Sequence, residues 1–277
     1  MSAQSVLTEA RPLVIAVDGP SGSGKSSVSK EVARRLGLEY LDTGAMYRAA
    51  TWSVIESGVD LEDAVKVAEH VRNLDLTMAT DPSAPGVWVA GHDVNEAIRE
   101  TRISTVVSKV ATNLDVRAEL LKRQRELIAA GRDGVHQGCV AEGRDITTVV
   151  APDADVRILL TASEEARLAR RSKELHGNAD AASVEATRDQ IVRRDSDDST
   201  VSNFEVAADG VLHLDSSALD FEQTVDAVLA AINRIVTGSV TDLDEHARLV
   251  PFPDVPARTL RRDRRPRCGV RLRSRRT

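Results

Sequence analysis

The stretch Gly19-Pro20-Ser21-Gly22-Ser23-Gly24-Lys25-Ser26-Ser27 constrains the chain more than any other segment. It follows a continuous apolar run, PLVIAV at residues 12–17, and runs into SSVSKEVARRLG at 26–37, a helical pattern closing on Gly37. Strand, glycine loop and helix in that order is the context in which G-x-x-x-x-G-K-[ST] cradles phosphate. The glycines let successive backbone N–H groups turn inward around phosphate oxygens, and the helix adds its positive N-terminal end. Lys25 is then expected to reach the β and γ oxygens of a nucleoside triphosphate, and the Ser26 hydroxyl to ligate Mg²⁺.

Further along, apolar runs and helical patterns alternate to about residue 236. Short strands are expected at LEYLDTG (38–44), GCVAEGRD (138–145), DVRILLTAS (155–163) and GVLHLDSS (210–217). Helices are expected after residue 44, over LEDAVKVAEHVRNL (61–74), from 164 to about 176, over 183–195 and over 221–236. Strands separated by helices imply an α/β fold, a mainly parallel central sheet of about five strands with helices on both faces. LDLTMATDPSAPGVWVAGHDV (74–94) alternates around a Pro/Gly turn and reads as an antiparallel hairpin. With the helical segments RISTVVSKVATN (102–113) and VRAELLKRQRELIAAG (116–131) it forms an expected insert at about 60–130.

The expected organisation is a flexible N-terminus at 1–11, one domain at 12–238 and an unstructured Arg-rich tail at 239–277. Residues 258–277 hold ten Arg and one Asp, so the rest of the chain carries −15 against a total of −6. An acidic body does not suit nucleic acid, and the arginine run lacks interleaved aromatics for base stacking. A nucleic-acid-binding NTPase using that tail is thus the weaker of the readings open at this point. No apolar stretch approaches the roughly 18 residues of a membrane span, and the first residues lack the apolar core of a signal peptide. Cys139 and Cys268 stand far apart, so no disulfide is expected and the cytoplasm is the default compartment.

Switches and motors built on this loop need parts that are missing here. There is no N-K-x-D guanine reader, no L-S-G-G-Q signature and no long apolar run ending in Asp–Glu. A kinase for a small acceptor remains, and it should place arginines at strand ends to grip a second phosphate. DTGAMYR puts Arg48 at the start of the helix after the second strand, and EGRD puts Arg144 and Asp145 at the end of the third. The carboxyl ends of parallel strands converge on one crevice, so both guanidinium groups are placed to clamp an acceptor phosphate. An arginine near a strand end is, by itself, more often a surface ion pair. The combination with the loop carries the reading. Lys25, Arg48 and Arg144 are accordingly the candidate catalytic residues. The six histidines are scattered, none at metal-ligand spacing.

The segments GPSGSGKSS, YLDTGAMYR, SKVA…VR…RQR, EGRDITTVV, PDADVRILLTAS and RRDSDDS occur in the order seen in bacterial cytidylate (CMP/dCMP) kinases, which the chain resembles over about residues 12–236. The resemblance implies a P-loop nucleoside monophosphate kinase fold with an inserted acceptor-binding subdomain and a short lid at about 164–195. It implies transfer of the γ-phosphoryl group of MgATP to CMP or dCMP by a monomer, with lid and insert closing on binding. Arg48 and Arg144 would hold the CMP phosphate, while Thr43, Ser108, Arg117 and Asp145 would surround the cytosine. Arg194 and Asp198 would contact the ribose, and Arg170 and Arg171 would lie on the lid over ATP. Two positions depart from the family pattern: Thr147 stands where many members have glycine, and Val201 where many have an acceptor-phosphate arginine. Another small acceptor, such as UMP, is the alternative within the same chemistry.

Overall fold

The computed structural model describes residues 12–176, 188, 192–238 and 270–272. The expected N-terminal segment 1–11, most of the helix at 183–195 and most of the tail at 239–277 lie outside the described residues. Along the chain, β1 (Leu13–Asp18) leads through the glycine loop into α1 (Lys25–Leu36), followed by β2 (Glu39–Asp42) and α2 (Thr43–Glu56). Next come α3 (Ala64–Arg72), the strands β3 (Leu76–Ala79), β4 (Gly86–Val89) and β5 (His92–Asp93), and the helices α4 (Thr101–Ser104), α5 (Val107–Ala111) and α6 (Leu114–Asp133). Then follow β6 (Gly138–Gly143), β7 (Val156–Thr161), α7 (Glu164–His176) and α8, described over residues 192–199. The last are β8 (Leu212–Asp215), α9 (Phe221–Val236) and β9 (Val270–Leu272).

The central sheet has the order β2-β6-β1-β7-β8, and every neighbouring pair is parallel. This is the expected five-stranded α/β architecture. β1 is apolar on both faces because it is covered on both. Val14 and Ala16 belong to one hydrophobic cluster, with Met46, Ala49 and Val54 of α2, Val67 and Val71 of α3, and Leu120 and Leu127 of α6. Ile15 and Val17 point the other way, into a cluster with Val28 and Val32 of α1 and Val225, Val228 and Ile232 of α9. Leu76, Met78, Val87 and Val89 of the hairpin join the first cluster, so α2 links the hairpin to the main sheet through shared core.

The sequence expectation needs correction at three points. The single helix expected at 102–113 is broken into α4 and α5, with Val106 at φ −120° and ψ −4°. Thr105, Val106 and Val107 are consecutive β-branched residues, which crowd a helical turn. Thr43 and Gly44, expected at a strand end, instead begin α2, because Asp42 caps it by accepting the Ala45 N–H at 2.7 Å. Finally, residues 270–272 fall in the tail expected to lack structure, yet pair antiparallel with Leu76–Met78. β3 offers an open edge there, and Val-Arg-Leu has the alternation of a strand. Among the described residues, no helix is long and apolar enough to cross a membrane.

Candidate active site

The C-terminal ends of β1, β2 and β6 open on one cavity of about 480 Å³, within the range of small-molecule sites. Eight basic side chains line it against four acidic ones, so it is built for anions. The glycine loop forms one wall. Gly22 and Gly24 take left-handed φ values of 76° and 88°, which lets the loop curl into the N-terminus of α1. Lys25 folds across the loop, donating from Nζ to the Pro20 carbonyl at 3.3 Å. Burial pulls its ammonium below the usual range; Glu142 opposes this, while Arg144 and Arg194 add to it. Ser26 Oγ donates to Glu142 Oε1 at 2.6 Å. Burial and the nearby Asp42 push the Glu142 carboxyl up to about 7, against the pull of Lys25, Ser26 and Arg48.

The opposite wall carries the arginines. Arg48 pairs with Asp42 at 3.0 Å. A Cβ on Gly143 would stand 2.4 Å from Thr43 Oγ1; its absence lets Thr43 donate to the Glu142 carbonyl at 2.8 Å. The DTG and EGRD segments are thereby interlocked. Arg144 Nη1 lies 2.9 Å from Asp195 Oδ1 and its Nε 2.7 Å from Asp198 Oδ2, with the guanidinium 4.3 Å above the Phe204 ring. Arg194 Nε is 3.7 Å from Asp198 Oδ2. Burial, with Arg144 and Arg48 repelling it, brings the Arg194 guanidinium down to about 10. Arg48 Nε, Arg144 Nη1 and Arg194 Nε are all buried without a hydrogen-bond acceptor. Leaving a buried polar donor unmatched costs roughly 1–3 kcal/mol. Arg48 Nε and Arg194 Nε are such donors, and with the ion-paired Arg144 they mark a place for an anion.

Beside them, Arg117 donates to Asp145, to Ser202 Oγ at 3.1 Å and to the Ala111 carbonyl at 3.1 Å, and lies 6.0 Å from the Tyr47 ring. Burial raises the Asp145 carboxyl while Arg117 pulls it down. Carboxylate, guanidinium and aromatic ring together offer hydrogen-bonding edges and a flat wall to a planar base.

Most residues expected from the sequence line this cavity: Ser21, Gly22, Gly24, Lys25, Ser26, Ser27, Thr43, Arg48, Arg117, Arg144, Asp145, Arg171, Arg194 and Asp198. Arg170 does not. It donates to the carbonyls of Ser23, Ser216 and Leu219 at 3.1, 2.6 and 3.1 Å, bracing the loop from outside the cavity. Neighbours on a helix point about 100° apart, and here Arg171 takes the cavity side while Arg170 takes the other. Ser108 also stands back from the cavity, with Oγ 3.5 Å from Asp198 Oδ1. Thr147 lies outside the lining too, donating its hydroxyl at 2.6 Å and its N–H at 2.8 Å to Asp18, which also accepts the Ile146 N–H at 2.8 Å. These bonds tie the turn after Asp145 to the end of β1.

Sequence reasoning missed Glu142, Asp18, Tyr47, Arg167 and Asp195. Glu142 had a signal: the apolar run of β6 ends in one carboxylate beside β1, in place of an Asp–Glu pair.

The cytidylate kinase family model matches residues 15–234. The cytidylate kinase of Cutibacterium acnes is 50% identical over 222 residues, covering 79% of this chain and 95% of that protein. That of Streptomyces avermitilis is 43% identical over 221 residues, 79% of this chain and 92% of its own. The Nocardia farcinica cytidylate kinase is 44% identical over 236 residues, covering 84% and 99%.

Proposed function

The chain belongs to the cytidylate kinase family, and on that premise we propose how its own residues transfer the γ-phosphoryl group of ATP to CMP or dCMP, forming ADP with CDP or dCDP. The attacking atom is an oxygen of the acceptor phosphate, already ionised near neutral pH. The reaction therefore asks for placement and charge stabilisation more than for a base. The loop N–H groups and Lys25 hold the donor phosphates, with Arg171 on the same side. Arg48 and Arg144 hold the acceptor phosphate, and Arg194, expected at the ribose, joins them because it sits within the field of both. Thr43, Arg117 and Asp145 surround the cytosine, with Tyr47 as a wall. Asp198 faces the ribose, steadied from behind by Ser108. Closure of α7 and the insert over the bound pair would keep water from the γ-phosphate. The observation that carries this assignment is the cluster of Arg48, Arg144 and Arg194 beside the glycine loop, with unmatched Nε donors on Arg48 and Arg194.

Ser26 and Glu142 present hydroxyl and carboxylate oxygens 2.6 Å apart at the loop's mouth, the hard donors that Mg²⁺ takes. These two residues would hold Mg²⁺, which would supply charge neutralisation to the triphosphate. Glu142→Gln keeps the shape and removes the charge. The Mg²⁺ concentration for half-maximal rate is expected to rise by at least about 10-fold, as read from a magnesium titration at fixed ATP. An unchanged titration would remove Glu142 from this role.

The whole reading is tested by ADP release across CMP, dCMP, UMP, AMP and GMP. Turnover is expected to be fastest with CMP or dCMP. Faster turnover with UMP than with either would sink the cytidine assignment.

A further inference from the structure

Where the two halves of the cavity meet, one carboxylate joins them. Asp195, on α8, is 6% exposed. Its Oδ1 accepts the Ser21 N–H at 3.1 Å and lies 2.9 Å from Arg144 Nη1. Its Oδ2 accepts from Arg167 Nη1 at 2.5 Å, and that same nitrogen donates to the Ser21 carbonyl at 2.9 Å. Ser21, near the tip of the donor loop, is thus held at both its N–H and its C=O by one carboxylate–guanidinium pair. Asp195 therefore gathers the donor loop, helix α7 and the strand-end arginine of the acceptor wall around one buried charge.

Arg144 is drawn to this carboxylate without being used up by it. Its Nη1 sits at ion-pair distance from Asp195, yet its N–H finds no aligned acceptor. Arg144 is held in place with a donor to spare. Without the carboxylate, Arg167 would lose its counter-charge and Arg144 would keep Asp198 alone, close to Arg194 and Lys25.

We propose that Asp195 is a positioning residue that couples the two half-sites, fixing Arg144 relative to the donor loop so that acceptor and γ-phosphates meet in line. This rests on the reading of Arg144 as an acceptor-phosphate ligand. Each substrate still has its own half of the cavity, so the loss of Asp195 acts on the encounter of the two phosphates more than on either binding step. A misplacement on the order of 1 Å costs about 100-fold in rate.

The test is Asp195→Asn in the full chain, a change that keeps shape and removes charge. The expected result is a kcat lower by about 100-fold with KM for CMP and for ATP each within about threefold of the parent. An unchanged kcat overturns the proposal. So does a folded variant in which both affinities collapse with kcat preserved, since that is how a plain strut behaves. Arg167→Gln gives a second arm that does not depend on the first variant folding. It removes the tie from Asp195 to α7 while sparing Arg144, so kcat should fall about 10-fold with KM for CMP unchanged; an unchanged kcat again overturns the proposal. If the parent chain prefers another acceptor, the assignment of the cavity fails separately, because the Asp195→Asn loss in kcat is expected with whichever acceptor is turned over.

Discussion

With methionine in place of Lys25, kcat for CMP is expected to fall about 1,000-fold, the upper range for removing one preorganised charge-stabilising donor. The chain should nonetheless keep or slightly raise its melting temperature. Lys25 makes one long hydrogen bond, to the Pro20 carbonyl at 3.3 Å. Burial acts against its charge, and Arg144 and Arg194 act the same way, with Glu142 as the main counterweight. Methionine nearly matches its length and removes a poorly solvated ammonium. Loss of turnover and preservation of fold are thus predicted to separate. A melting temperature lower by several degrees with kcat within tenfold of the parent would mean that Lys25 serves the fold and not the donor phosphates.

The sequence made the sheet legible because its strands are buried on both faces. β1 has to be apolar at Val14 and Ala16 for one core and at Ile15 and Val17 for the other, and such runs stand out without any alignment. The donor loop was legible for a different reason, since its glycines and lysine mean little outside a strand–loop–helix. Arg144 at a strand end and Arg48 at the start of the following helix gained their meaning from the glycine loop that shares their crevice. What stayed hidden depends on rotation and on long-range pairing. Arg170 and Arg171 look equivalent in a row of arginines; the packing of α7 decides that Arg171 lines the cavity while Arg170 grips the Ser23, Ser216 and Leu219 carbonyls. Ser108 shares a motif with Arg117 but stands behind Asp198. Asp195 has no local signal because its partners, Ser21, Arg144 and Arg167, come from three other segments that only the fold assembles. The break between α4 and α5 lay in plain view as Thr105-Val106-Val107, but a helical hydrophobic period masks a local run of β-branched residues.

Arg48→Ala is expected to lower kcat/KM for CMP about 1,000-fold while leaving ATP affinity within about threefold, because the arginine faces the acceptor half and touches no donor-loop residue. The structure also limits the side effects. Asp42 loses the partner at 3.0 Å, yet it keeps the Ala45 N–H at 2.7 Å that makes it the cap of α2, so the helix should start where it does now. Arg48→Lys then separates charge from shape. It restores a positive group but not the planar fork that grips a phosphate through two N–H groups, so it should recover only a small part of the loss. Binding of a non-hydrolysable ATP analogue and of CMP, each measured alone by calorimetry, decides the matter. Weak CMP binding beside normal analogue binding places Arg48 on the acceptor. Collapse of analogue binding with CMP affinity intact would move Arg48 to the donor side and leave Arg144 and Arg194 as the only arginines holding the acceptor phosphate.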